Sequence, residues 1–115
     1  MTRLVYKICS VPLWLEAERT GKFQGSEADL RDGFIHFSTA EQVRETAAKH
    51  FAGQSDLVLV SVDISKLGDR LKWEPSRGGA LFPHLYGTLD SNAVVRTDPL
   101  LLRRNGTHDF PPLGD

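Results

Sequence analysis

Asp32-Gly33-Phe34-Ile35-His36-Phe37-Ser38-Thr39-Ala40-Glu41-Gln42 is the stretch on which the fold of this chain turns. Gly33 opens a run of strand-forming residues, Phe34 to Phe37, so a strand is predicted there. Ser38-Thr39-Ala40-Glu41 then has the form of a capping box, with the Ser38 hydroxyl on an amide three residues on and Glu41 reaching back. A helix is predicted to follow, with Val43, Ala47, Ala48 and Phe51 on one face and Gly53 as its end. Alternation along the strand puts Phe34, His36 and Ser38 on one side and Ile35 and Phe37 on the other. An imidazole and two hydroxyls, Ser38 and Thr39, beside a helix N-terminus can hold a phosphate, a ribose hydroxyl or a carboxylate. The plainer alternative is that Ser38 only caps its helix and His36 is a satisfied strand histidine.

On the N-terminal side, Leu4 to Ile8 reads as a first strand. Ser10 offers a cap, Pro12 suits a first turn, and Leu13, Trp14 and Ala17 share a face, which predicts a helix over 12–20 stopped by Gly21. Lys22 to Gly33 reads as an irregular connection. On the C-terminal side, Asp56 to Asp63 reads as the central strand, because Leu57-Val58-Leu59-Val60 is apolar on both faces. Ile64 to Gly68 reads as a single turn, and Val94 to Leu102 as a strand interrupted at Asp98-Pro99. Residues 104–115, with Asn105-Gly106 and Pro111-Pro112, read as an irregular tail of a single domain covering 1–115.

Composition narrows the class. A chain of 115 residues with 40% hydrophobic and 25% charged residues is an ordinary globular domain with one core. Fourteen Lys+Arg against fifteen Asp+Glu, interspersed, give a net charge of −1 and argue against a duplex nucleic acid or an anionic membrane as partner. The longest apolar run, Leu57 to Val60, is too short to span a bilayer. A single cysteine, Cys9, excludes an intramolecular disulfide framework and makes a cytoplasmic setting the default. Cys9, between a strand and a helix, sits where a thiolate can be stabilised, but small buried cysteines are common.

Two further segments are dense in chemistry. In Trp73-Glu74-Pro75-Ser76-Arg77-Gly78-Gly79, the glycines let a loop approach a ligand, Arg77 can clamp an anion, Glu74 can act as acid or base, and Trp73 can stack on a ring. A solvated Glu74–Arg77 pair is the alternative. In Phe82-Pro83-His84-Leu85-Tyr86-Gly87, proline suggests that His84 is presented from an edge or turn, with Tyr86 on the same side. No helical spacing of histidines points to a metal.

These segments together, with Tyr6-Lys7-Ile8, Trp14 and Gly21, resemble a bacterial family known as domain of unknown function 952. The resemblance covers nearly the whole chain and names no reaction. More distantly, the chain resembles the ADP-ribosyltransferase fold, including RNA 2′-phosphotransferases and poly(ADP-ribose) polymerases. That resemblance implies an α+β fold with a split mixed or antiparallel β-sheet core and two short helices, gripping NAD, ADP-ribose or a related phosphorylated nucleotide in its cleft. Leu4-Val5-Tyr6-Lys7 stands at the first motif of that fold, and Ile35-His36-Phe37-Ser38-Thr39 is similar to the second. Trp73-Glu74 or Pro83-His84-Leu85-Tyr86-Gly87 would supply the third. The implied catalytic residues are His36, His84 and Glu74, and the implied ligand contacts are Tyr6, Lys7, Ser38, Thr39, Trp73, Arg77 and Tyr86. Lys7 departs from the usual histidine or arginine, and the third motif lacks an unambiguous glutamate. The alternative is a non-catalytic ligand- or protein-binding module that has lost that glutamate.

Overall fold

The computed structural model describes residues 3–114, the side chain of Arg77 excepted. Nine strands and three helices follow one another: β1 (Leu4–Ser10), α1 (Val11–Thr20), β2 (Lys22–Phe23), α2 (Glu27–Asp32), β3 (Ile35–His36), α3 (Val43–His50), β4 (Leu57–Asp63), β5 (Leu71–Ser76), β6 (Ala80–Leu85), β7 (Leu89–Asp90), β8 (Val94–Leu102) and β9 (His108–Asp109). Among the described residues every strand pairing is antiparallel. The main sheet has the order β1-β4-β8-β9, a second the order β3-β6-β5, and β2 pairs with β7 alone. The class is α+β with antiparallel sheets, as expected, but with three helices where two were expected.

β4 is the central strand its sequence predicts. Leu57 to Val62 are all buried, because α1 packs on one face of the main sheet and α3 on the other. On the first face Val58, Val60 and Val62 meet Trp14, Ala17, Ile35 and Phe37. On the second, Leu57 and Leu59 meet Tyr6, Ile8, Val43 and Ala47. The α1 signals also hold: the Ser10 hydroxyl accepts from the Leu13 amide, Pro12 lies in the first turn, and Gly21 closes the helix at φ 82°.

Several expectations are corrected. Lys22 to Gly33 is not irregular but carries β2 and α2, the latter closed by a reciprocal Ser26/Asp29 capping box. The predicted Ser38/Glu41 box does not form. Ser38 is still extended, exchanging both main-chain hydrogen bonds with Tyr6 at 2.8 and 2.9 Å, so the helix cannot begin there. Thr39 and Gln42 instead satisfy each other's amides, and α3 ends at His50, before Gly53. His84 is not on an edge, since β6 is the middle strand of its sheet. Pro83 has no amide to give this ladder, but its carbonyl still accepts the Phe37 amide at 2.9 Å, just past the end of β3. The turn after β4 is two short 3₁₀ segments, and β8 runs through Asp98-Pro99 unbroken. The supposed tail contributes β9, packs Phe110 and Leu113 on the second core, and accepts the Tyr6 hydroxyl at the Gly114 carbonyl, 2.6 Å away.

The position of the site follows from the seam between the two larger sheets. They are stitched at the Tyr6–Ser38 bridge, one residue beyond the Phe37 amide that still bonds the Pro83 carbonyl of β6 at 2.9 Å. Beyond that bridge the ladder stops, and β1 from Tyr6 to Ser10 lines a cleft whose opposite walls come from α2, β3 and β6.

Candidate functional site

The cleft has a volume of about 800 Å³, and Lys7, Asp29, Asp32, His36 and His84 are among its lining residues. Register brings the two histidines together: His36 on β3 and His84 on β6 are direct cross-strand partners, with ring centroids 5.5 Å apart. Phe34 stacks on His84 at 4.1 Å and tilts against His36 at 4.7 Å, in an aromatic cluster that includes Tyr86 and lies beside the residues lining the cleft.

Each histidine is backed by a carboxylate on Nδ1. His84 is buried and donates from Nδ1 to Glu74 Oε1 at 2.8 Å; the Tyr86 hydroxyl donates to the same oxygen at 2.8 Å. These bonds hold the Glu74 carboxyl below the ordinary glutamate range, the His84 bond first, and push the Tyr86 phenol up. His36 donates from Nδ1 to Asp29 Oδ1 at 2.6 Å, and its main-chain amide meets the same oxygen at 3.1 Å.

Asp29 is the centre of this arrangement, and the sequence reading missed it. It is 2% exposed, accepts from the Ser26 amide at 2.8 Å as the cap of its own helix, and pairs with Lys7 Nζ at 2.8 Å. Burial alone would raise its carboxyl, but the hydrogen bond from His36 and the charge of Lys7 bring it well below the ordinary aspartate range. For Lys7, burial pulls the ammonium down and Asp29 opposes it. Burial likewise pushes the Cys9 thiol up to about 12, which removes it as a ready nucleophile. Ser26-x-x-Asp29 followed by Gly33 was the available sequence signal, a capping pattern closed by a glycine at φ 89°.

Of the residues expected in the site, His36, His84, Glu74 and Tyr86 converge. Lys7 reaches the cleft but is engaged by Asp29. Ser38 shares a 2.8 Å hydrogen bond with Thr46 of α3, Thr39 caps the turn before that helix, and Tyr6 is bonded to the tail. These three brace the frame, and Tyr6 and Ser38 also line the cleft, while Glu74 and Tyr86 stand just behind its lining on His84 and Phe34. Trp73 projects from the face of β5 opposite Glu74, so Phe34 takes the stacking place proposed for it. The Arg77 side chain lies outside the described residues. Among the described residues no three histidine, cysteine or carboxylate side chains are set to hold a metal ion.

This architecture has close counterparts. The profile of the family described as Protein of unknown function (DUF952) matches residues 8–97. The chain belongs to that family. A crystal structure of protein CC0527 from Caulobacter crescentus is 52% identical, covers 92% of this chain and 93% of its own, and superposes with a TM-score of 0.89. A solution NMR structure of the same protein is 53% identical, covers 90% of both chains and gives a TM-score of 0.82. No curated protein matches. The DUF952 fold is thus seen in two independent experimental forms of a relative, and neither description names an activity.

Proposed function

We propose that the cleft is a nucleotide site that takes NAD, ADP-ribose or a related phosphorylated nucleotide. In this reading His84 and Glu74 handle the proton of a ribosyl transfer or hydrolysis. The observation that carries it is the cross-strand pairing of His36 with His84 in the cleft lining, each backed by a carboxylate and both in ring contact with Phe34. The His36 and His84 rings, with Phe34 behind them, suit a base or nicotinamide ring. Glu74, held as a carboxylate by two donors, can accept a ribose hydroxyl and stabilise positive charge developing at the anomeric carbon. The third motif of the ADP-ribosyltransferase resemblance then has both its candidates at once, because His84 and Glu74 form one hydrogen-bonded unit. The split between the sheets also supports that resemblance.

A second reading, a binding module without turnover, is favoured by one observation: both nitrogens of His36 are occupied by carboxylates, which leaves that ring no lone pair for a substrate proton. One experiment separates the two. Thermal shift with NAD, ADP-ribose, AMP and nicotinamide, followed by chromatography of the incubated ligand, is expected to show stabilisation by NAD or ADP-ribose. Stabilisation at one hundred times the dissociation constant is about 2.7 kcal/mol. Free nicotinamide that disappears in Glu74→Gln supports turnover, intact ligand supports the module, and no response from any nucleotide overturns the nucleotide reading.

A further inference from the structure

Two side-chain donors at the cleft, Arg31 and His36, are held by one exposed carboxylate. Asp32, the last residue of α2, places Oδ2 3.0 Å from His36 Nε2 and Oδ1 3.2 Å from Arg31 Nε. The other ring nitrogen of His36 faces Asp29 at 2.6 Å. A carboxylate accepts and does not donate, so in this arrangement each ring nitrogen of His36 faces an acceptor. The two contacts differ in kind. Asp29 is locked, with its side chain 1% exposed and Lys7 and Ser26 on its remaining lone pairs. Asp32 and His36 are each 35% exposed and Arg31 is 71% exposed, so the outer contacts face solvent and are screened.

We infer that Asp32 is an internal stand-in for an anionic group of the ligand. A phosphoryl or carboxylate group displaces it and bridges Arg31 Nε and His36 Nε2 with two oxygens, as Asp32 does now. Lys7 does not compete for this group because it is committed to Asp29. The inner Asp29 contact keeps the imidazole oriented during the exchange, so the site is preorganised on one side and exchangeable on the other. The inference deepens the nucleotide reading by assigning the phosphate end of that ligand, and it is tested with inorganic phosphate so that the two can fail separately.

The test is an NMR titration of the full chain with inorganic phosphate at constant ionic strength, following the His36 ring nitrogens. Each screened contact that Asp32 makes is worth a factor of about 1.5 to 5. Asp32→Ala should therefore tighten phosphate binding by about threefold or more, and Arg31→Ala in the Asp32→Ala background should remove that gain. Both side chains are on the surface, so neither variant puts folding at issue; His36→Gln in the same background is a second check. Unchanged or weaker phosphate binding in Asp32→Ala overturns the inference, as does a gain that survives loss of Arg31 and His36. If phosphate obeys these rules while NAD and ADP-ribose do not bind, the nucleotide reading falls and the anion site stands.

Discussion

Replacing Asp29 by asparagine should damage this protein more than replacing its partner Lys7 by methionine, although either change breaks the same ion pair. The pair is deeply buried, with side-chain exposures of 7% for Lys7 and 1% for Asp29. Removing one member of such a pair leaves the other charge uncompensated and costs about 3–5 kcal/mol. Asp29→Asn suffers this fully. Lys7 loses its counter-charge, and the new amide must turn an N–H toward donors already in place: Lys7 Nζ, the Ser26 amide, or His36. Lys7→Met is milder. Asp29 keeps the Ser26 amide and both His36 donors, and methionine fills the stem's space, so a loss of about 1–2 kcal/mol is expected, close to one charge-assisted bond.

For a domain of this size each kcal/mol corresponds to about 4 °C. The expected drops are therefore about 12–20 °C for Asp29→Asn and about 4–8 °C for Lys7→Met. The double variant should recover about 2 kcal/mol relative to the sum of the singles, because Lys7 is no longer stranded. Urea unfolding followed by tryptophan fluorescence and circular dichroism gives all three values, with an unchanged m-value as the control for two-state behaviour. Equal losses of under about 1 kcal/mol in both singles, or strict additivity in the double, would refute the claim that Asp29 is a desolvated hub.

The Asp29 carboxyl lies lower in the folded chain than in the unfolded one, so its contribution is complete above the ordinary aspartate value of about 3.9 and is lost as pH falls below it. Urea midpoints measured from pH 6 to 2 should fall more steeply in the wild type than in Asp29→Asn; parallel curves would contradict this. Gly25→Ala should cost about 1–3 kcal/mol and displace the His36 ring resonances, because Gly25 has φ 119° and an added Cβ would lie 2.8 Å from the Asp29 Cβ. Gly21→Ala, at φ 82° with nothing within 4 Å, is the comparison: it bears only the left-handed backbone penalty of about 1–2 kcal/mol and leaves His36 unmoved.

What the sequence revealed depended on whether the decisive interaction was local. β4 was legible because four consecutive apolar residues need cover on both faces, and α1 because its cap, proline and terminal glycine are all within the helix's own span. α2 was not. Its six residues bury only Asp29, while Leu30 is 66% exposed, so no apolar periodicity marks it and tertiary hydrogen bonds hold it in place. The start of α3 was misplaced because the local capping pattern at Ser38 lost to a nonlocal one, the main-chain exchange with Tyr6. The same distinction governs the site. His36, His84 and Glu74 could be picked as residue types, but their convergence needs the His36–His84 register and the β5–β6 pairing. Asp29 is 22 residues from Lys7 and 7 from His36, and neither separation is written in any periodic pattern.

That a charged hub sits where the two sheets part is itself informative. A buried ion pair is a poor source of net stability, since well-packed apolar residues of similar volume often do as well or better. The seam at Lys7 and Asp29 could be filled in that way, as it is a few residues further along, where Ile35 and Phe37 join the first core. What apolar filling cannot do is fix the orientation of one particular ring. His36 and Lys7 together keep Asp29 charged, Asp29 fixes the His36 imidazole and caps α2, and α2 carries Arg31 and Asp32 to the rim of the cleft. The hub therefore links the geometry of the cleft's inner wall to that of its mouth. A variant that restores stability by apolar filling at positions 7 and 29 should still lose the phosphate response at His36, and that separation is what distinguishes a functional hub from a structural one.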